Sequence, residues 1–338
     1  VFPVIRVAVI GAGYWGPNLI RNFAACPLAR LVAVCEMNAE RRENVLASYP
    51  DVDGVGDVDA VLARDDVDAV AVATPVGTHH AIGMAALNAG KHVLVEKPLA
   101  PSVPEAEELV LTAQSAGLTL MVDHTFLFSS PVRMMKKVID SGELGDLYYI
   151  DSVRINLGLF QHDVNVVWDL APHDLSIMDH LIDRAPRTLA AFGTCHTDTD
   201  IEDIAHLNLE FGNTLVASFH VNWLSPVKIR HFVIGGSKKS LVYNDLKPAE
   251  KIKIYDRGIS VSHDPEARRG VLINYRTGDV FSPHIDSQEP LQRMVTHFAE
   301  CVRDGKQPLA DGHAGLRIVR LLDAAQRSIK AQGGRIVL

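Results

Sequence analysis

A run of six residues, Gly11-Ala12-Gly13-Tyr14-Trp15-Gly16, constrains this chain most, because it follows the apolar run Val4 to Ile10 and precedes a helical stretch, Asn18 to Ala25. In that context a G-x-G-x-x-G turn opens a doubly wound parallel sheet. Gly11 permits the tight turn, Gly13 lets backbone amides approach a pyrophosphate, and Gly16 allows close packing of helix on strand. The N-terminus of the following helix adds a field that favours an anion. The alternation continues through strand-like runs at Leu31 to Cys35, Val67 to Ala73, His92 to Val95 and Leu118 to Val122, with helical segments such as Ala81 to Ala89 between them. This is the pattern of βαβ units. Strands such as VAVI and AVAVAT are apolar on both faces, as expected of a parallel sheet covered by helices on both sides.

Beyond about residue 123 longer strand-like runs follow one another: Leu147 to Leu157, Arg187 to Cys195, Ala205 to Phe211, Thr214 to Trp223 and Val227 to Gly235. Phe211-Gly-Asn-Thr214 reads as a hairpin turn, and helical periodicity returns at Gln288 to Arg303 and Ala314 to Lys330. The segment from about Asp245 to Gln288, with turns at His263-Asp264-Pro265 and Ser282-Pro283-His284, reads as loop with a strand or two. The expected architecture is therefore α/β: a parallel Rossmann-type domain over 1–122, then an α+β domain over 123–338 with a large open, mostly antiparallel sheet. A length of 338 residues suits two domains. The formal charge of −8 argues against nucleic acid as a partner, and the absence of any apolar run near the ~18 residues of a span argues against a membrane. Cys26, Cys35, Cys195 and Cys301 form no C-x-x-C pair, and no secretory pattern opens the sequence, so a reducing, cytoplasmic setting is expected.

Glu36 ends the strand VAVCE twenty residues beyond Gly16, where a carboxylate accepts hydrogen bonds from an adenosine ribose diol. That carboxylate disfavours a 2′-phosphate, so NAD is expected over NADP. Arg41 and Arg42 are either phosphate readers or two charges on an exposed helix. Enzymes that use S-adenosylmethionine share such a turn and acid, so a further feature must decide. Glu96-Lys97-Pro98 closes the run GKHVLVEKP and sets Lys97 at the carboxyl edge of the sheet, where ligands lie in this fold. A buried lysine there holds a substrate oxygen or passes a proton; the alternative is a surface pair with Glu96.

Over essentially its whole length the chain resembles the Gfo/Idh/MocA oxidoreductases, named for glucose-fructose oxidoreductase, inositol dehydrogenase and a rhizopine-catabolism protein. The resemblance rests on VAVIGAGYWG, on ATPVGTHHAIGMAALNAGKHVLVEKPLA from Ala73 to Ala100, on GELGDLYYIDSVR from Gly142 to Arg154, and on WDLAPHDLSIMDHLI from Trp168 to Ile182. It implies hydride transfer on sugars or cyclitols and a second domain whose open sheet mediates dimer or tetramer formation. It carries catalytic roles onto Lys97 and onto Asp169 and His173 of a D-x-x-x-H motif. Thr74, Pro75 and His79 match T-P-x-x-x-H and would line the nicotinamide end, while Tyr14, Trp15 and Glu96 fall within the cofactor motifs.

Read from the residues alone, Asp169 and His173 lie four apart at the start of a helix, with Pro172 in its first turn, so both project from one face. Asp169 is either an orienting acid or a helix cap. Oxidation of a secondary alcohol needs a base for the hydroxyl proton, and histidine serves near pH 7. His173 is the expected base, Asp169 fixes its tautomer and Lys97 holds the hydroxyl; Lys97 as base is the alternative. His173, His180 and Asp169 also suggest a metal, but without a third strong ligand no metal is expected. His124 departs from the family pattern and is expected to face the ligand. Arg154, Asn156, Gln161, His162 and Asn165 are expected either to read substrate hydroxyls or to form a solvated loop. The expectation is an NAD-dependent dehydrogenase acting on a nucleotide sugar, an aminoglycoside-type glycoside or a cyclitol. The alternatives are a non-catalytic NAD-binding regulator and an enzyme that retains NAD and acts by transient oxidation.

Overall fold

The computed structural model describes residues 4–158, 164–197, 201–212, 214–261 and 273–338. Two compact units divide the chain, Val1–Ser129 with Gln288–Asp323 and Ser130–Ser287 with Ala324–Leu338. In the first, β1 (Ile5–Ile10), α1 (Gly16–Ala25), β2 (Ala29–Cys35), α2 (Ala39–Leu46), β3 (Asp53–Val55), α3 (Val58–Leu62), β4 (Ala69–Val72), α4 (His79–Asn88), β5 (His92–Glu96), α5 (Val103–Ala116) and β6 (Leu120–Asp123) alternate as expected. The six strands pair in parallel in the order β3-β2-β1-β4-β5-β6. The order reverses between β1 and β4, which opens a crevice at the carboxyl ends of these two strands. The apolar runs form the core: Val7, Ala8, Val9, Val70, Ala71, Val72, Val93, Leu94 and Val95 are wholly buried.

The second unit begins with α6 (Ser130–Asp140), β7 (Leu147–Leu157) and α7 (Val166–Leu181). It continues through β8 (Thr188–Thr194), β9 (Ile204–Glu210), β10 (Val216–Asn222), β11 (Leu224–Gly236), β12 (Ser240–Asn244), β13 (Ile252–Val261) and β14 (Ile273–Phe281). With β15 (Ile336–Val337) they make a nine-stranded sheet, antiparallel except where β10 runs parallel to β7. Period-two burial shows which face is covered: Leu189, Leu209, Ala217 and Ile150 are fully buried, whereas Tyr149, Phe192 and Val216 on the opposite face are exposed. The polar segment after Asp245 holds the two strands β13 and β14. His263-Asp264-Pro265 lies outside the described residues, as does Asn213 of the expected hairpin turn between β9 and β10.

The division differs from a boundary at residue 122. Helix α8 (Pro290–Asp304) and the start of α9 (Gly312–Lys330) belong to the first unit. Phe298 meets Phe23 of α1 edge to face at 6.3 Å, Val122 N–H donates to the Ala310 carbonyl at 2.8 Å, and Arg21 pairs with Glu289 at 2.6 Å. An amphipathic helix announces its apolar stripe but not which sheet will cover it, so sequence order alone assigned this segment to the wrong neighbour.

Candidate active site

At the carboxyl edge of the first sheet the glycine turn is built by close approach. Gly11 has φ +96°, and a Cβ there would lie 2.6 Å from the Ala73 carbonyl oxygen; a Cβ on Gly16 would strike the Gly11 carbonyl. A Cβ on Gly13 would meet nothing within 4 Å, so the backbone is open on that side. No acidic residue occupies the first turn of α1, which leaves its N-terminus to an anionic ligand. Glu36 is buried and its two oxygens accept from Ala12 N–H and Asn38 N–H, both at 2.9 Å. Burial opposes its ionisation, but those two amides and Arg41 outweigh burial and hold the carboxyl below its ordinary range. Arg41 lies 3.5 Å from Glu36, while Arg42 donates to the Glu36 carbonyl oxygen at 2.6 Å. These residues fit a dinucleotide: glycine amides for the pyrophosphate, Glu36 for the adenosine ribose.

The ends of β4, β5 and β6 carry the remaining expected cofactor residues. His79 is 1% exposed, and its ring spans the carbonyl oxygens of Pro98 at 2.9 Å and Thr74 at 2.8 Å. It therefore ties the Thr74–Pro75 turn to the Lys97-Pro98 segment, whose peptide bond is cis, and acts by positioning these rather than by lining an open pocket. Thr78 Oγ1 donates to the Pro75 carbonyl at 2.7 Å and closes the same turn. His80 beside His79 pairs with Glu108 at 2.8 Å. Trp15 Nε1 donates to Asp123 at 3.0 Å, and Tyr14 beside it is 87% exposed.

His124, expected to face the ligand, is withdrawn from solvent. It is 2% exposed with neither ring nitrogen hydrogen-bonded, and burial pushes its pKa down to about 4. A histidine buried neutral binds fewer protons folded than unfolded, so its share of stability is full above about pH 6.5 and is lost as the pH falls toward about 4. The span corresponds to on the order of 3 kcal/mol. Chemical denaturation of His124→Phe between pH 4 and 7 should show a flatter dependence than wild type; parallel curves would refute the assignment.

In the second unit α7 carries both members of the D-x-x-x-H motif. The helix starts at Val166, not at Asp169, and its N-cap is Asn165, whose Oδ1 accepts from Val167 N–H and Trp168 N–H at 3.1 Å. Asn165 Nδ2 donates to Glu202 and Gln326, so this expected substrate reader is fully engaged as a cap. Pro172 consequently lies inside the helix rather than in its first turn. Asp169 is no cap; its carboxylate accepts from Trp223 Nε1 at 3.1 Å, and Trp223 is 1% exposed. His173 follows one turn later, half-buried.

Arg154 also departs from expectation. It is 4% exposed and donates through Nε at 3.0 Å and a terminal nitrogen at 2.5 Å to Asp174, whose other oxygen accepts from Ser152 at 2.9 Å. The pair fastens β7 to α7, because alternation along β7 turns Ser152 and Arg154 to the covered face. Asn156 shares that face and is half-buried. Gln161 and His162 lie outside the described residues. Trp223 and Asp123 were missed: one is a tryptophan after β10, the other an acid ending β6 opposite Glu96 of β5. Two acids closing neighbouring parallel strands were the available signal. Among the described residues no group of three or more His, Cys, Asp or Glu could hold a metal ion, and no helix is long and apolar enough to cross a membrane.

A reversing parallel sheet with a glycine turn, an acid ending β2 and a lysine following β5 defines a dinucleotide-binding protein with chemistry at the sheet's carboxyl edge. Residues 5–124 match the oxidoreductase family model described as an NAD-binding Rossmann fold, and residues 132–242 match the C-terminal domain model of the same family. The chain is 37% identical over 344 residues to 4-carboxy-2-hydroxymuconate-6-semialdehyde dehydrogenase of Sphingobium, covering 97% of this chain and 100% of that one. It is 24% identical to the scyllo-inositol 2-dehydrogenase (NADP(+)) of Bacillus subtilis over 96% of this chain and 95% of the relative. The solved UDP-N-acetylglucosamine 3-dehydrogenase of Acidithiobacillus ferrooxidans superposes with a TM-score of 0.81 at 26% identity, covering 97% and 98% of the two chains. The chain belongs to the Gfo/Idh/MocA oxidoreductase family, and its first unit is an NAD-binding Rossmann domain.

Proposed function

We propose that the protein is an NAD-dependent dehydrogenase that oxidises one secondary ring hydroxyl of a sugar, glycoside or cyclitol to a ketone. The observation that carries this reading is Lys97 directly after β5 at the carboxyl edge of a sheet whose β2 ends in the buried Glu36. The relatives that act on an inositol and on a UDP-sugar support a ring hydroxyl as the target. When bound, NAD supplies the hydride acceptor. The protein's own part is to hold the hydroxyl through Lys97 and to take its proton through His173, with Asp169, itself held by Trp223, orienting that base.

The Sphingobium relative favours a second reading, oxidation of an aldehyde. Incubating the protein with NAD and a panel of inositols, UDP-sugars, aminoglycoside precursors and a carboxylated semialdehyde separates the two. A ketone from a ring substrate, seen by mass spectrometry, supports the proposal; a carboxylate product only from the semialdehyde replaces it. Binding of NAD with no turnover of any substrate points to the non-catalytic regulator or the retained-cofactor enzyme.

Preference for NAD over NADP follows from Glu36, whose carboxylate meets a 2′-phosphate with like charge, while Arg42 is committed to the Glu36 carbonyl oxygen. Glu36→Ala should narrow the ratio of NADP to NAD dissociation constants by about tenfold. An unchanged ratio in a fluorescence titration would remove Glu36 from cofactor selection. The exposed sheet face bearing Tyr149, Val216 and Phe192 is the proposed contact for a homodimer or homotetramer, to be read by light scattering.

A further inference from the structure

Glu96 and Asp123 stand directly opposite one another in register where β5 and β6 end. Glu96 Oε1 and the Asp123 side chain are both withdrawn from water there, and two neighbouring buried carboxyl groups are far costlier as two carboxylates than as one carboxylate and one acid. Asp123 accepts from Trp15 Nε1 at 3.0 Å and from Thr125 Oγ1, two donors that favour leaving the shared proton on Glu96. Glu96 Oε1 is buried without a hydrogen-bond partner, a state a neutral acid's carbonyl oxygen tolerates far better than a carboxylate oxygen does. Burial and the neighbouring Asp123 both push the Glu96 carboxyl well above its ordinary range.

We propose that Glu96 and Asp123 share one proton and so place a single buried negative charge at the carboxyl edge of the first unit's sheet, where it favours the oxidised, cationic nicotinamide ring over the reduced, neutral one. The inference rests on the NAD-binding reading of this unit. Glu36 assigns the adenosine half of the dinucleotide to the β3-β2-β1 side, so the nicotinamide half crosses the β1/β4 reversal onto the ends of β4, β5 and β6. The other titratable groups there are His124 and His79, both pushed toward neutrality by burial, and Lys97, whose ammonium attenuates the pair's charge. Sequestering the charge from water would make its effect on a ring bound at that edge larger than a surface carboxylate would have.

The test uses the full chain and the dissociation constants of NAD+ and NADH, measured by calorimetric and fluorescence titration, for wild type, Glu96→Gln and Glu96→Gln/Asp123→Asn. The amide introduced by Glu96→Gln donates to Asp123 as the acid did and leaves the charge in place, so the single variant should keep the wild-type ratio of the two constants. The double variant, which deletes the charge without changing volume, should shift that ratio toward NADH by about 5- to 10-fold. An unchanged ratio in the double variant overturns the inference. So does a single variant that shifts as far as the double, because Glu96 would then have carried the charge itself. Failure of wild type to bind either form would instead overturn the cofactor reading and the inference with it. Infrared spectroscopy of wild type gives a readout independent of the double variant's folding. A protonated carboxyl band at neutral pH that disappears in Glu96→Gln is expected, and its absence from wild type overturns the shared proton.

Discussion

Replacing His173 with alanine is expected to lower kcat by about 10²- to 10⁴-fold, the usual worth of a positioned general base, while leaving the dissociation constant for NAD within about twofold. The glycine turn and Glu36 that would hold the dinucleotide lie in the first unit, whereas His173 lies on α7 of the second, so the substitution leaves the residues proposed to hold NAD unchanged. A base role also predicts that activity of wild type falls on the acid side as the ring protonates and that this limb disappears in the variant. Equal loss of turnover and NAD affinity would make His173 a structural residue and shift the base role to Lys97. Asp169→Asn gives a second handle. The amide still accepts from Trp223 Nε1, so a fall in kcat without a fall in stability would assign the carboxylate to orienting the base rather than to holding the helix.

Replacing Asp174 with alanine is expected to cost about 3–5 kcal/mol of stability, because it strands the Arg154 guanidinium in the covered face of the sheet. For a domain of this size that corresponds to a fall in Tm of roughly 10 °C. The paired replacement Arg154→Met/Asp174→Leu should recover most of the loss, since a buried ion pair is costly to break and cheap to replace with apolar groups of similar size. The same variants decide what Arg154 does. If it fastens β7 to α7, Arg154→Met lowers Tm and changes KM little; if it reads substrate, KM rises at constant Tm. The hydrogen bonds to Asp174 favour the first outcome.

The glycine turn after β1 and Glu36 at the end of β2 were legible as positions in the sequence, because backbone geometry and spacing survive any detail of packing. The place of Lys97 after a strand and of Asp169 and His173 on one helix was legible for the same reason, whereas the start of that helix was not. Arg154 and Asn165 were misread because a polar residue's partner is a matter of tertiary register. Arg154 faces Asp174 only because β7 turns it inward, and Asn165 is a cap only because α7 begins one residue later. The burial of His124 was not legible because desolvation leaves no mark in the sequence. The placement of α8 and of the start of α9 failed similarly, since their apolar stripes fit either sheet. Asp123 went unnoticed although the alternation of strands placed it beside Glu96, because its significance depends on the carboxyl pair being out of water.

Hydride transfer from a ring carbon to NAD leaves an isotopic record. Inositols and UDP-sugars carrying deuterium on successive ring carbons are incubated with the protein and NAD, and the reduced cofactor is weighed by mass spectrometry. One labelled carbon of one ring class is expected to deliver its deuterium to the nicotinamide and become a ketone, and His173→Ala is expected to suppress the transfer while binding NAD as wild type does. Deuterium that stays on the ring throughout, with label transferred only from an aldehyde carbon or from nothing, would contradict hydride transfer from the ring.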